Sequence, residues 1–262
     1  MILLISCLCG VMRRENSHFF PASKKTGKAT RPGENRTAPN IQHFCRPHYA
    51  PTLKFMWSWA RTGPTVVYLH GNSGSRLEGN EIADHYLLRG MSFFCVDFGG
   101  CGISDGSMVT LGLREREDVE VVLDYLKSHK AASHVCLYGR SMGAATALLV
   151  AADDRYYHTI KGLVIDSSYA SVREIAVDQA HKYPVLGMVA GTAVDALREA
   201  VVSKAGFDID LINVLRAAPL CQVRGVPPTF NGGSGAYRRI TDTQHTDFVE
   251  RRCTQHTQTC HT

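Results

Sequence analysis

Two hydrophobic periods alternate along the middle of this chain. Short apolar runs, bounded by glycine, proline or charge, occupy residues 53–59, 65–70, 91–97, 134–138 and 161–166. They are rich in β-branched and aromatic residues and apolar at consecutive positions, so they predict strands covered on both faces. Between them the period lengthens. Over residues 113–128, Val119, Val122, Leu123 and Leu126 fall at i, i+3, i+4 and i+7, one face of a helix. Residues 77–89 predict another helix, with Ile82, His85, Tyr86 and Leu87 able to share a face. Residues 144–152 are Ala- and Leu-rich throughout, which predicts a buried helix. Strand and helix in alternation predict an α/β fold on a doubly wound, mostly parallel sheet.

The pattern also divides the chain. Residues 1–40 predict a disordered or leader segment, rich in Lys, Thr, Pro and Gly after its first dozen residues. Residues 41–230 hold the α/β domain, and within it 171–207 read as a helical, cap-like segment broken at Pro184 and Gly187. Residues 231–262 form an irregular polar tail rich in Thr, Gln, His and Cys. The apolar run at 1–12 is too short to span a bilayer, and its basic residues, Arg13 and Arg14, follow it instead of preceding it. It reads as a stray leader, or as an interfacial anchor acylated on Cys7 and Cys9 that would give weak membrane association. Asn35-Arg36-Thr37 matches a glycosylation acceptor, a triplet common by chance.

Composition narrows the classes. Of 262 residues, 44% are hydrophobic and 20% charged, ordinary for a globular protein, and a net charge of +5 without a dense basic run argues against a nucleic-acid partner. Nine cysteines without C-x-x-C spacing, with Cys95 and Cys136 inside expected strands, fit reduced buried thiols and a cytoplasmic location. No metal-ligand cluster or cofactor fingerprint stands out. The glycine loop at 99–106 matches neither the dinucleotide nor the Walker pattern, and is expected to pack beneath the active site. Arg116-Glu117-Asp118 reads as an exposed first helical turn.

The candidate chemistry lies at Gly139-Arg140-Ser141-Met142-Gly143, between the strand at 134–138 and the helix at 144–152. A sharp strand–turn–helix passage strains the serine backbone and requires small neighbours two residues to either side, which Gly139 and Gly143 supply. Ser141 Oγ would stand above the sheet as a nucleophile, with the Met142 N–H at the helix N-terminus aimed at a developing oxyanion. An ordinary Gly-Ser turn is the alternative reading. His70-Gly71-Asn72 ends another central strand, and the Asn72 N–H is expected to be the second oxyanion donor. His70 is expected to support that loop by hydrogen bonding.

Four motifs in order carry a family resemblance: His70-Gly71-Asn72-Ser73-Gly74-Ser75, Asp97-Phe98-Gly99-Gly100-Cys101-Gly102-Ile103-Ser104, Gly139-Arg140-Ser141-Met142-Gly143 and Asp166-Ser167-Ser168-Tyr169. Over about residues 53 to 220 the chain resembles the α/β-hydrolases, and within them the serine aminopeptidase-like (clan SC serine peptidase) and depalmitoylating groups. The resemblance implies a serine hydrolase that cleaves an ester, thioester or amide of a small-molecule, lipid or peptidyl acyl substrate. It also implies a triad in the order Ser, acid, His. The family's H-G-x-x-D turn is not found after Val226-Pro227-Pro228-Thr229-Phe230, which resembles the start of its strand. The expectation is therefore a sheet missing its last strand or strands, and a catalytically inactive binding module as the alternative function. Asp166, Asp242 and Asp247 are the acid candidates, and His245, His256 and His261 the base candidates.

Overall fold

The computed structural model describes residues 40–45, 52–57, 63–128, 132–221, 223 and 230–231. The expected leader, apart from Asn40, and the expected tail after Asn231 lie outside these residues. Six strands form one sheet: β1 (Asn40–Cys45), β2 (Thr52–Trp57), β3 (Gly63–Leu69), β4 (Ser92–Asp97), β5 (Ala132–Arg140) and β6 (Ile160–Asp166), in the spatial order β1-β2-β4-β3-β5-β6. β1 and β2 pair antiparallel, and β2 runs antiparallel to β4. The other four are mutually parallel, with Val67 opposite Phe94 and Leu137, and Leu137 opposite Leu163.

The consecutive apolar runs have a direct cause, because both faces of the sheet are covered. On one face Val67, Leu69, Phe94, Val96, Val135 and Leu137 join a large core. On the other, Val66, Tyr68, Phe93, Cys95 and Cys136 form a second cluster. Adjacent residues alternate between the two, as a pleated strand requires. The helix α1 (Asn80–Leu87), preceded by a 3-10 turn at Arg76–Gly79, buries Tyr86 against the second cluster. The helices α2 (Glu115–Ser128) and α3 (Met142–Ala151) cover the large core from the other side. Nine of the ten residues of α3 are buried, which explains its lack of a polar face.

The cap-like segment forms α4 (Val172–His181), the single turn α5 (Pro184–Gly187) and α6 (Ala190–Ala205). The break falls where Pro184 and Gly187 predicted it. A short helix α7 (Val214–Ala217) follows. After β6, Ser167 takes a left-handed backbone (φ 59°) and the chain resumes as a two-residue strand, β7 (Ser168–Tyr169). β7 pairs in parallel with β8 (Phe230–Asn231), in the register Ser168–Phe230 and Tyr169–Asn231. Of the strand expected at 226–230, only Phe230 lies among the described residues, and it pairs with β7.

Two expectations need correction. Residues 76–79 are a 3-10 turn, and the α-helix expected from 77 begins at Asn80. The start of α2 is only partly solvated: Glu117 is exposed, but Asp118 is buried and its carboxylate accepts the Gly99 N–H at 2.9 Å. One turn earlier Glu115, also buried, accepts from the Thr110 N–H (2.8 Å), the Thr110 hydroxyl (2.7 Å) and the Gly112 N–H (2.8 Å). Both carboxylates anchor the loop between β4 and α2.

Candidate active site

The parallel strands β3, β4, β5 and β6 end on one edge of the sheet, and each of the four family motifs lies at one of those ends. In sheets of this kind the crevice lies where connections leave in opposite directions. Here β3 sits between β4 and β5, so that point falls between the ends of β3 and β5. His70-Gly71-Asn72 follows β3, and Ser141 follows β5.

Ser141 has φ 52° and ψ −112°, a backbone conformation that a non-glycine residue adopts only under constraint from its surroundings. The constraint is visible. The Ser141 N–H donates to the Asp166 carbonyl at 2.8 Å, and its own carbonyl accepts the Ala145 N–H at 3.0 Å as α3 begins. A Cβ on Gly143 would stand 2.0 Å from the Leu69 carbonyl oxygen, and one on Gly139 would stand 2.3 Å from the Gly143 carbonyl oxygen. The expected need for small residues on both sides is thereby met by backbone packing. The Ser141 side chain makes no capping bond to α3. Met142 is the first residue of α3, where backbone N–H groups have no intrahelical acceptor.

The β3 loop runs directly over this elbow. A Cβ built on Gly71 lies 3.7 Å from Ser141 Cβ and 3.6 Å from the Arg140 carbonyl oxygen. The Gly74 N–H donates to the Gly71 carbonyl at 2.9 Å and closes a turn with Asn72 and Ser73 at its centre. Asn72 Oδ1 is buried there without a hydrogen-bond partner among the described residues. His70 is fully buried. Its Nδ1 lies 2.7 Å from the Gly71 carbonyl, and its Nε2 accepts the Phe98 N–H at 3.2 Å. Nδ1 therefore carries the proton, both nitrogens are engaged, and His70 is a support for the loop, as expected.

The rest of the loop is pinned by two carboxylates: Asp97, which opens the second family motif, and Glu78, which no motif included. Asp97, at the end of β4 and wholly buried, accepts from the Arg76 N–H (2.6 Å), the Arg76 guanidinium and the Ile103 N–H (3.1 Å). It thereby holds the β3 and β4 loops together. Glu78 accepts from the Tyr68 hydroxyl at 3.2 Å and lies 3.9 Å from Arg140. Its spacing after Ser75 suits a capping box, but Ser75 Oγ accepts from Leu77 N–H while the Glu78 carboxylate turns to Tyr68. Glu78 and Asp166 both raise the Arg140 pKa, Glu78 the more strongly.

Asp166 ends β6 opposite Arg140, and its Oδ1 accepts the Ser167 hydroxyl at 2.8 Å. His134 and His158 lie at or just before the amino-terminal ends of β5 and β6, the opposite edge of the sheet from Ser141. Asp242, Asp247, His245, His256 and His261 lie outside the described residues. Among the described residues no group of three or more His, Cys, Asp or Glu side chains could hold a metal ion.

Comparison with known proteins bears on the fold and the family. Lysophosphatidylserine lipase ABHD12 of Gallus gallus is 28% identical over 126 residues, 47% of this chain and 32% of that protein. A multifunctional-autoprocessing repeats-in-toxin protein of Vibrio vulnificus is 29% identical over 141 residues, 50% of this chain and 3% of the toxin. The chain thus spans about a third or less of the length of these relatives. An esterase of Pyrococcus furiosus has the same fold with a TM-score of 0.52 at 20% identity, over 70% of this chain and 66% of the esterase. An alpha-beta hydrolase of Vibrio vulnificus gives a TM-score of 0.51 at 23% identity, over 69% and 60% of the two chains. The family described as alpha/beta hydrolase fold matches residues 64–204, more than half of the chain, and the protein belongs to that family.

Proposed function

We propose that this protein is a serine hydrolase that cleaves carboxylic esters or thioesters of apolar acyl chains through an acyl-enzyme on Ser141. The observation that carries the proposal is the constrained backbone of Ser141, held at a strand–helix turn whose flanking glycines leave no space for a side chain. Two features support the substrate class. Named relatives include a lipase and an esterase. In addition, the cap carries an uncharged stretch around α5 with Tyr183, Val185, Met188 and Val189 half or more exposed.

The steps follow from the residues. Ser141 Oγ attacks the carbonyl carbon while an imidazole takes its proton, and the carbonyl π pair moves onto oxygen. The Asn72 and Met142 amides stabilise that oxyanion. Collapse expels the alkoxide or thiolate, which takes the proton back from the imidazolium, and water then repeats the sequence to release the acid. His70, buried with both ring nitrogens engaged, is not that base, and the proposal assigns the role to His245, His256 or His261. The acid orienting it is Asp242, Asp247 or Asp166.

A fluorophosphonate probe tests this on the full chain. Rapid labelling that is absent from Ser141→Ala, with loss of labelling on replacing one of the three tail histidines, is the expected result. A folded protein that stays unlabelled would instead be a binding module on a hydrolase scaffold.

A further inference from the structure

We propose that Glu78 is a positioning residue that sets the Gly71–Gly74 loop, and with it the Asn72 amide, against the nucleophile elbow. The inference rests on the assignment of Asn72 and Met142 as oxyanion donors. It deepens that assignment by naming what holds the first donor in place.

The segment from Gly71 to Arg76, which contains the loop, is fixed at its two ends by other groups. His70 Nδ1 binds the Gly71 carbonyl, and Asp97 holds the Arg76 N–H. Its middle, at Gly74, faces the Glu78 carboxylate. The Oε1 atom stands 2.0 Å from where a Gly74 Cβ would be, so the carboxylate occupies the space a side chain would take. The other oxygen, Oε2, accepts from the Tyr68 hydroxyl and lies 3.9 Å from Arg140 Nη1. Tyr68 belongs to β3, from which the loop departs, and Arg140 is the residue before the nucleophile. One carboxylate therefore touches the oxyanion loop, its parent strand and the elbow.

The 3-10 turn carrying Glu78 is itself fixed, since a Cβ on the buried Gly79 would lie 2.3 Å from Cys95 Sγ on β4. The two polar partners differ in weight. The Tyr68 side chain is buried, whereas that of Arg140 is 54% exposed and its ion pair is long, which makes the Tyr68 contact the dominant one.

The test uses the full chain with Glu78→Ala, Glu78→Gln, Gly74→Ala and the Gly74→Ala/Glu78→Ala pair. The first readout is hydrogen exchange of the amides at 71–75, which needs no activity. The second is the concentration dependence of fluorophosphonate labelling, which separates the limiting rate from probe affinity. Glu78→Ala is expected to speed exchange at 71–75 about tenfold and to lower the limiting labelling rate about tenfold, with little change in probe affinity. That loss is smaller than the roughly 10²-fold cost of deleting an oxyanion donor outright. Glu78→Gln keeps an acceptor for Tyr68 and should stay within about threefold of the parent protein. Gly74→Ala displaces the carboxylate and should match Glu78→Ala, and the pair should be no worse than either single change.

Unchanged exchange at 71–75 in Glu78→Ala overturns the proposal, as does a pair whose losses multiply. A limiting rate that is unchanged while affinity falls also overturns it. If the parent protein is not labelled at all but exchange responds as stated, Glu78 still positions the loop, and the hydrolase reading is the one that fails.

Discussion

A single methyl group separates two glycines of the site. At Gly143 it would meet the Leu69 carbonyl at 2.0 Å, and backbone cannot step aside as a side chain can. Gly143→Ala is expected to cost about 1–3 kcal/mol of stability and to abolish Ser141 labelling. At Gly71 the nearest atoms are at 3.6 and 3.7 Å, ordinary contact distances, so Gly71→Ala should stay within about 1 kcal/mol of the parent protein in urea unfolding. Equal losses at the two positions would contradict the packing account. Cys95 supplies a chemical check. Burial, with the Asp97 charge beside it, pushes its thiol up to about 12. Cys95 should therefore resist iodoacetamide at pH 8 in the native protein and react on unfolding, as mass spectrometry of the alkylated peptide would show.

Among elements, α2 shows what a stripe can hide. Glu115, Asp118, Val119, Val122, Leu123 and Leu126 are all buried, and they share one helical face. The apolar members were legible from their spacing. The two acids lie one turn earlier on that face, but a carboxylate in a first helical turn ordinarily serves the helix dipole in solvent. Their positions on the apolar stripe were the signal that they face inward. Glu115→Ala leaves the Thr110 and Gly112 amides without their acceptor, at an expected cost of about 2–5 kcal/mol. Glu117→Ala, on the exposed face, should change stability by no more than about 0.5 kcal/mol. Urea midpoints for the two variants decide the matter. Glu78 was hidden for a similar reason, because its spacing from Ser75 suggests a cap and nothing local points to Tyr68.

For the whole molecule, the parallel sheet, the elbow and the supporting role of His70 could be read directly. They arise from local spacing and from strands covered on both faces. The acid and base could not be, because they depend on which distant segment reaches Ser141, and periodicity carries no such information. The helical segment after β7 is tied down by charge. Arg198 pairs with Asp208 and Asp210, and Arg173 bridges Asp195 and Asp210, joining α4, α6 and the 3-10 turn Ile209–Leu211. Hydrogen bonds from Arg198 lower the Asp208 carboxyl from its ordinary 3.8 to about 2. The folded state therefore binds fewer protons there than the unfolded chain. This contribution is complete above about pH 5 and is lost progressively as pH falls through about 4 to 2. Thermal unfolding between pH 5 and 2 should show this loss, and Asp208→Asn should flatten the curve in that window. Because these groups are partly exposed, added salt should shrink the effect.

The strand order has a further consequence for how the chain acquires its site. β3 pairs on one flank with β4 and on the other with β5, so Val67 meets both Phe94 and the much later Leu137. While the chain extends only through β4, one edge of β3 stands open and Asn72 has no elbow to face. Closing that edge is a non-local step, and non-local pairing is slow because the intervening loop must be ordered first. The arrival of β5 completes the central sheet and brings the Met142 amide to the Asn72 loop in the same event. In refolding, reactivity at Ser141 should therefore return in the slow phase that closes the sheet, with no earlier partial recovery.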